Sequence, residues 1–179
     1  MAARGQGQGN TDWQPLGVWQ VPPNPSGTIS ITGVTPARGA APAGTAGQFL
    51  FTLTDSMGTG DFAVVNVLIN NFIDGRQACY PEFVASTNTL LLIPDSGAAA
   101  GPYAGSMTLN RTNVSIQNSQ CMVSGSASAV TYKPNTMTLS LNITFTGAFA
   151  GNRVLYVAGR DHADGNNTDW QAAGTWTVQ

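Results

Sequence analysis

Charged side chains are scarce in this sequence. Only 9% of its 179 residues are Asp, Glu, Lys or Arg, against roughly a quarter in an average soluble domain. Seven basic and nine acidic side chains leave a net charge of −2, so no basic field is available to attract a phosphate backbone or an anionic lipid surface. We therefore expect no nucleic-acid partner.

Long apolar runs are also missing. The longest ones, such as the segment from Thr89 to Pro94, are far shorter than the ~20 residues that cross a bilayer as a helix. We therefore expect no membrane insertion. The first ten residues lack the apolar stretch of a secretory signal peptide as well, and we expect any such signal to lie upstream, in a longer protein from which this chain is a fragment.

Residue types that commonly act in catalysis are few in this sequence. His162 is the only histidine, Glu82 is the only glutamate, and no Gly-x-Ser-x-Gly elbow places a serine nucleophile after a strand. A loop-borne histidine without such a partner is ordinarily solvated, and nothing in the sequence places two carboxylates across a cleft. We predict that the protein is not an enzyme.

Alternation of apolar and polar residues is the dominant pattern, and no window shows a helical stripe. It is clearest where Met137, Leu139, Leu141, Ile143 and Phe145 share one face, as expected of a half-buried strand. Shorter alternations occur in four further segments: Phe49, Phe51 and Leu53; Val65, Val67 and Ile69; Val154, Tyr156 and Ala158; Trp176 and Val178. Gly- and Pro-rich turns separate them, so we predict an all-β, antiparallel sandwich.

The two ends of the chain carry nearly the same dozen residues. "NTDWQPLGVWQV" begins at Asn10 and "NTDWQAAGTWTV" begins at Asn167, an offset of 157 positions. We interpret residues 1–21 as the terminal strand of a preceding repeat, residues 22–27 as a Pro-rich linker, and residues 28–179 as the domain. Alternatively, residues 1–21 are an extension that adds a strand to an exposed sheet edge, either on its own domain or on a neighbouring molecule.

Five segments follow one another along the chain: "SGTISITGVTPARG", "FLFTLTDSMG", "NTLLLIPDSG", "NSQCMVSG" and the terminal "DWQAAGTWTV". Together they resemble, over about 150 residues, an immunoglobulin-like (PKD/Big-like) tandem repeat of large secreted bacterial surface proteins. This resemblance implies an immunoglobulin-like β-sandwich with an inserted hairpin, a secreted or cell-surface location, and a modular architectural role without a known catalytic activity.

Cys79 and Cys121 are the only cysteines. In an extracellular domain such a pair indicates a disulfide, whereas in a cytosolic protein two buried thiols would be the expected state. We predict a bridge that pins the inserted segment, residues 75–97, onto the "NSQCMV" segment.

Hard oxygen ligands are concentrated near the second copy of the repeat. Asp161, Asp164, Asn166 and Asp169 are candidate calcium ligands, although their spacing does not match an EF-hand loop. The first copy keeps Asp12 but replaces the acidic part by Gly and Gln. We therefore expect no cofactor and assign Asp12 and Asp169 to a turn or a strand cap, with calcium binding as the alternative.

Four tryptophans lie in the repeated segments: Trp13, Trp19, Trp170 and Trp176. Repetition within predicted strands favours core or inter-module packing, while flat amphipathic rings also suit a sugar-stacking platform.

The favoured function is a non-catalytic structural or adhesive extracellular module whose partners are neighbouring repeats or copies of itself. The alternative is a carbohydrate-binding module that uses Trp170 and the polar loop before it, with glycans as partners.

Overall fold

The computed structural model describes residues 27–110 and 112–179, which form a β-sandwich. Residues 1–26 lie outside the described residues, and with them Trp13, Trp19, the predicted extra strand and most of the predicted linker. The strands of the described part are β1 (Ile29–Thr35), β2 (Arg38–Ala41), β3 (Ala46–Asp55), β4 (Phe62–Asn70), β5 (Pro81–Val84), β6 (Thr89–Leu92), β7 (Gly105–Thr108), β8 (Ser115–Gln117), β9 (Cys121–Tyr132), β10 (Thr136–Phe145), β11 (Gly151–Asp161) and β12 (Gln171–Val178).

Two sheets make up the sandwich. One has five strands in the order β1-β3-β10-β9-β8, and the other has seven in the order β2-β12-β11-β4-β5-β6-β7. The predicted all-β sandwich is therefore confirmed. The seven-stranded sheet is mixed rather than purely antiparallel, because the chain crosses from β1 to the opposite sheet and β2 then pairs with β12 in parallel. No helix in the described part is long and apolar enough to cross a membrane.

The core lies between the inner faces of the sheets. The predicted face of β10 is confirmed, since its five apolar side chains from Met137 to Phe145 are all buried while the residues between them are partly exposed. β10 pairs with β3 on one side and with β9 on the other. Phe49, Phe51 and Leu53 of β3 are fully buried beside it, as their alternation predicted.

The alternation of Val154, Tyr156 and Ala158 marks the outer face of β11 and not its core face. Leu155 and Val157 belong to the core cluster, whereas Val154, Tyr156 and Ala158 lie on the outer face of the sheet, in register with Asn70, Leu68 and Asn66 of β4. Apolar residues occupy both faces of this strand, so the sequence contains a continuous apolar run in which the phase of the alternation is not visible.

The inserted segment is an integral part of the seven-stranded sheet. β5 and β6 form a hairpin that pairs with β4, and β7 extends it by a further strand. Phe83, Leu90 and Leu92 of the hairpin are fully buried in the core cluster. The inserted segment therefore contributes to the core of the sandwich.

The predicted disulfide between Cys79 and Cys121 is confirmed. Cys79 follows β4 in the chain and pairs with Ile69 as an isolated bridge, and Cys121 is the first residue of β9. Because β4 and β9 belong to different sheets, the bridge ties the inserted part of one sheet to the other.

Trp176 closes the open edge of the sandwich. Its ring meets Phe49 edge to face with ring centroids 5.0 Å apart, and it lies over Gly39, its partner on the neighbouring strand β2. A Cβ at residue 39 would overlap the indole ring. Trp176 is therefore partly buried and packed against the core.

We expect Gly39→Ala to destabilise the protein by about 1–3 kcal/mol, because the added methyl group must displace the indole ring from its place against Phe49. Gly33→Ala is the matched control. Nothing lies within 4 Å of a Cβ at Gly33, so its free energy of unfolding should stay within about 0.5 kcal/mol of wild type. Urea unfolding of both variants measures the difference, and equal stabilities would contradict the assigned packing.

Candidate functional site

A groove of about 310 Å³ lies on the outer face of the seven-stranded sheet. It is bounded by β4, by β11, by the residue that precedes β5 and by the loop that leads into β12. Its polar and aromatic lining consists of Asn66, Tyr80, Arg160, Asn167, Asp169 and Trp170. We call it the Tyr80–Trp170 groove.

The alternation of side chains along the strands determines which residues form the floor and one wall of the groove. Val65 and Val67 of β4 are fully buried in the core, so Asn66 between them faces outward. It lies in register between Ala158 of β11 and Glu82 of β5. Cys79 is buried in the core through its disulfide, and the next residue along, Tyr80, therefore lies on the outer face.

The loop before β12 forms the opposite wall, and the shared "NTDW" motif explains its shape. The Thr168 Oγ1 accepts a hydrogen bond from the backbone N–H of Gly159 at 2.9 Å, which fixes the loop to β11. The Asn167 Oδ1 accepts one from the backbone N–H of Asp169, also at 2.9 Å. The first two residues of the motif hold the turn, and Asn167, Asp169 and Trp170 line the groove.

Asp169 belongs to this turn through its backbone, and the side-chain acceptor of the turn is Asn167. In an Asx turn, a side-chain oxygen accepts a hydrogen bond from the backbone N–H two residues later in the chain. Asn167 occupies the position of that side chain. Asp169 instead adopts a left-handed backbone conformation with φ of 52°, which Asp and Asn tolerate better than most residues. Its carboxylate is consequently left at the exposed rim of the groove.

Two aromatic rings form a corner inside the groove. The Tyr80 and Trp170 ring centroids are 5.8 Å apart and the ring planes are inclined by 72°. The Tyr80 hydroxyl donates a hydrogen bond to the Asn66 Oδ1 at 3.2 Å. Trp170 was a candidate because it lies in the repeat, whereas Tyr80 was not predicted; the available signal was its position directly after the predicted disulfide cysteine, Cys79.

Burial controls the ionisation of the acidic groups beside the groove. It raises the pKa of the Tyr80 phenol to about 12, with a smaller contribution from the negative charge of Glu82. Burial also raises the pKa of Glu82, and Arg160 offsets part of that rise. The Arg160 Nη1 lies 2.8 Å from the Asp164 carboxylate. The guanidinium group that lines the groove is therefore already paired with a carboxylate.

The candidate calcium ligands point in different directions. The carboxylate of Asp161 is buried and accepts hydrogen bonds from the Gly165 N–H at 2.9 Å and the Asn166 side-chain amide at 3.2 Å. Asp164 is exposed and bonded to Arg160, and Asp169 lies at the groove. Among residues 27–110 and 112–179, no group of three or more His, Cys, Asp or Glu side chains is arranged to hold a metal ion. Calcium binding at these residues stays a prediction.

The two described tryptophans have separate environments. Trp176 packs against Phe49 at the edge of the core, whereas Trp170 lies partly exposed in the groove beside Tyr80. They do not form one platform, and the aromatic partner of Trp170 is a tyrosine from a distant part of the chain. Packing against the core is observed for Trp176, and the ligand interpretation of Trp170 stays a prediction.

Comparison with known proteins adds no family assignment. No protein-family model matches the chain, and a search of curated proteins finds no match. The function must therefore be argued from the geometry of the sandwich, its disulfide and the Tyr80–Trp170 groove.

We expect the free energy of unfolding of Tyr80→Phe to fall less steeply than that of wild type as the pH rises in the alkaline range. A tyrosine ionises near pH 10 when unperturbed, and Tyr80 does so at about 12 in the folded protein. Between these values the unfolded chain has released the phenol proton and the folded chain has kept it, so the free energy of unfolding falls as the pH rises. Urea unfolding at about pH 9 and about pH 11 measures the slope, and identical slopes for variant and wild type would contradict the assignment.

Proposed function

We propose that the chain is a non-catalytic structural or adhesive module of a secreted or surface-attached bacterial protein, built as an immunoglobulin-like repeat. The observation that carries this proposal is the buried disulfide between Cys79 and Cys121. Structural disulfides persist in oxidising surroundings and are rare in the cytosol, where thiols are kept reduced.

The position of the disulfide suits a mechanical role. It closes a loop of 42 residues that contains the added strands β5 to β8, and a bridge of this kind stabilises a domain by about 2–4 kcal/mol. These short strands pair over only three or four residues each. Joining both ends of the segment to one covalent link prevents it from peeling away from the sandwich.

The strand order supports the immunoglobulin-like part of the proposal. In that fold one sheet has the order A-B-E-D and the other contains C, F and G. Here β1-β3-β10-β9 occupies the place of the first sheet and β4-β11-β12 the place of the second, with β5 to β8 added beyond them. The first strand is also divided between the two sheets, as β1 and β2.

The surface chemistry is consistent with a module that works outside the cell as one of a series. Charged residues are few throughout the sequence, and the described residues contain two side-chain ion pairs, Arg76–Asp74 and Arg160–Asp164. The "NTDW" segment that shapes the loop before β12 recurs at Asn10, which supports a tandem arrangement with a neighbouring domain on the N-terminal side.

Trapping of the cysteines in the source cells tests the proposal. Cells are quenched in acid, free thiols are alkylated, and the protein is then reduced and alkylated with a second reagent of different mass. We expect Cys79 and Cys121 to carry the second label, with the protein in the medium or the surface fraction. Recovery from the cytosol with both cysteines carrying the first label would overturn the proposal.

Deletion of residues 1–21 tests the role of the N-terminal copy. If this segment adds a strand to its own domain, which is the alternative to a strand of a preceding repeat, deletion should lower the melting temperature and leave the mass that of a monomer, because strand addition supplies backbone hydrogen bonds to a sheet edge. Light scattering at high concentration and thermal unfolding provide the two measurements. A full-length protein that is oligomeric, with a monomeric deletion variant, would show instead that the strand is donated between chains.

A further inference from the structure

The geometry of the Tyr80–Trp170 groove points to a binding site for a neutral saccharide. One sugar ring packs against the aromatic corner, and its hydroxyl groups bond with the amide and carboxylate groups around it. This site is a recognition function in addition to the structural role, and it does not depend on that role being correct.

The aromatic corner fits the shape of a pyranose. The rings of Tyr80 and Trp170 pack edge to face with their planes inclined by 72°, and both are partly exposed, so the corner offers aromatic surface to the groove. A pyranose has flat C–H faces that pack against an aromatic ring, while its hydroxyl groups point sideways into the surroundings. Rings that combine an apolar body with a polar tip suit such a ligand.

The corner is held in place before any ligand arrives. Tyr80 follows the disulfide-bonded Cys79 and bonds to Asn66 through its hydroxyl. Trp170 lies between the fixed turn at Asn167 and the first residue of β12. Side chains that are already ordered lose little conformational entropy on binding, which favours affinity.

Polar groups of complementary character surround the rings. The amides of Asn66 and Asn167 and the carboxylate of Asp169 line the same groove. An amide offers both donors and acceptors, and a carboxylate accepts only. Since the Asn66 Oδ1 accepts the Tyr80 hydroxyl, the NH₂ group of Asn66 is the part of that amide available to a ligand. Sugar hydroxyls both donate and accept, so they can satisfy all three groups.

The charges select against acidic ligands. Arg160 is paired with Asp164, while Asp169 lines the groove and Glu82 lies beside Asn66. A uronic acid, a sulfate or a phosphate would therefore meet a carboxylate without an unpaired cation to bind it. A neutral sugar avoids this repulsion and uses Asp169 as a hydrogen-bond acceptor.

The size of the groove sets the expected affinity. A volume of about 310 Å³ is at the small end of ligand pockets, and it accommodates one or two sugar units. For a ligand of that size we expect a Kd on the order of 1 mM. Weak single sites of this kind become effective when several modules engage one polysaccharide, which suits a repeat.

Binding of the full chain is measured by NMR titration against two sets of probes. The neutral set contains cello-, manno-, xylo- and malto-oligosaccharides, and the acidic set contains oligogalacturonate and sulfated galactan fragments. We expect saturable binding to at least one neutral probe, with shifts in the amide signals of Asn66, Gly159 and Asp169. Saturation by acidic probes alone, or by neither set up to about ten times the expected Kd, would overturn the proposal.

Three variants assign the site. Trp170→Ala removes half of the corner and should weaken binding at least about tenfold. Asp169→Gly is safe for the fold, because glycine readily adopts the positive φ of this residue, and it should weaken binding by about two- to tenfold. Phe72→Ala, at a side chain that is 55% exposed and outside the groove, is the control. Equal affinity in wild type and Asp169→Gly, with Trp170→Ala also unchanged or unfolded, would overturn the assignment.

Discussion

The pairing of β4 with β11 is the contact on which both the sandwich and the groove depend. The two strands are aligned from Asn70 opposite Val154 to Phe62 opposite Asp161. On the inner side this register places Val67 beside Val157 in the core. On the outer side it places Asn66 beside Ala158, which is the floor of the groove. Because side chains alternate, a slip of one residue would exchange the two faces and remove both structures together.

The inward face of a strand could be predicted from the sequence wherever the other face of that strand is exposed to solvent. β10 alternates strictly because its outer side chains, such as Ser140 and Asn142, are polar, and its inward face was predicted correctly. β11 has Tyr156 on its outer face and Leu155 on its inner face, so its phase could not be read locally. The parallel pairing of β2 with β12 joins residues far apart in the chain, and no local pattern encodes such a contact.

The candidate site was predictable only in part, for a similar reason. Repetition at the two ends of the chain indicated Trp170, but a repeat does not reveal which of its residues fix a loop and which line a groove. Tyr80 lies 90 positions before Trp170 in the sequence, and only the order of β5, β4 and β11 in the sheet brings the two rings together. The hydrogen bonds of Asn167 and Thr168 fix the loop, while Asn167, Asp169 and Trp170 line the groove.

The disulfide and the groove are coupled through adjacent residues. The sulfur of Cys79 is directed into the core, toward Cys121, and a strand directs the next side chain to the opposite face. The covalent link therefore fixes the backbone from which Tyr80 projects. Reduction would free the connection between β4 and β5 at the point where Tyr80 meets Trp170, so the oxidised state of the core and the shape of the outer surface are not independent. The aromatic corner of Tyr80 and Trp170 is therefore fixed on the Tyr80 side by the same bond that joins the two sheets.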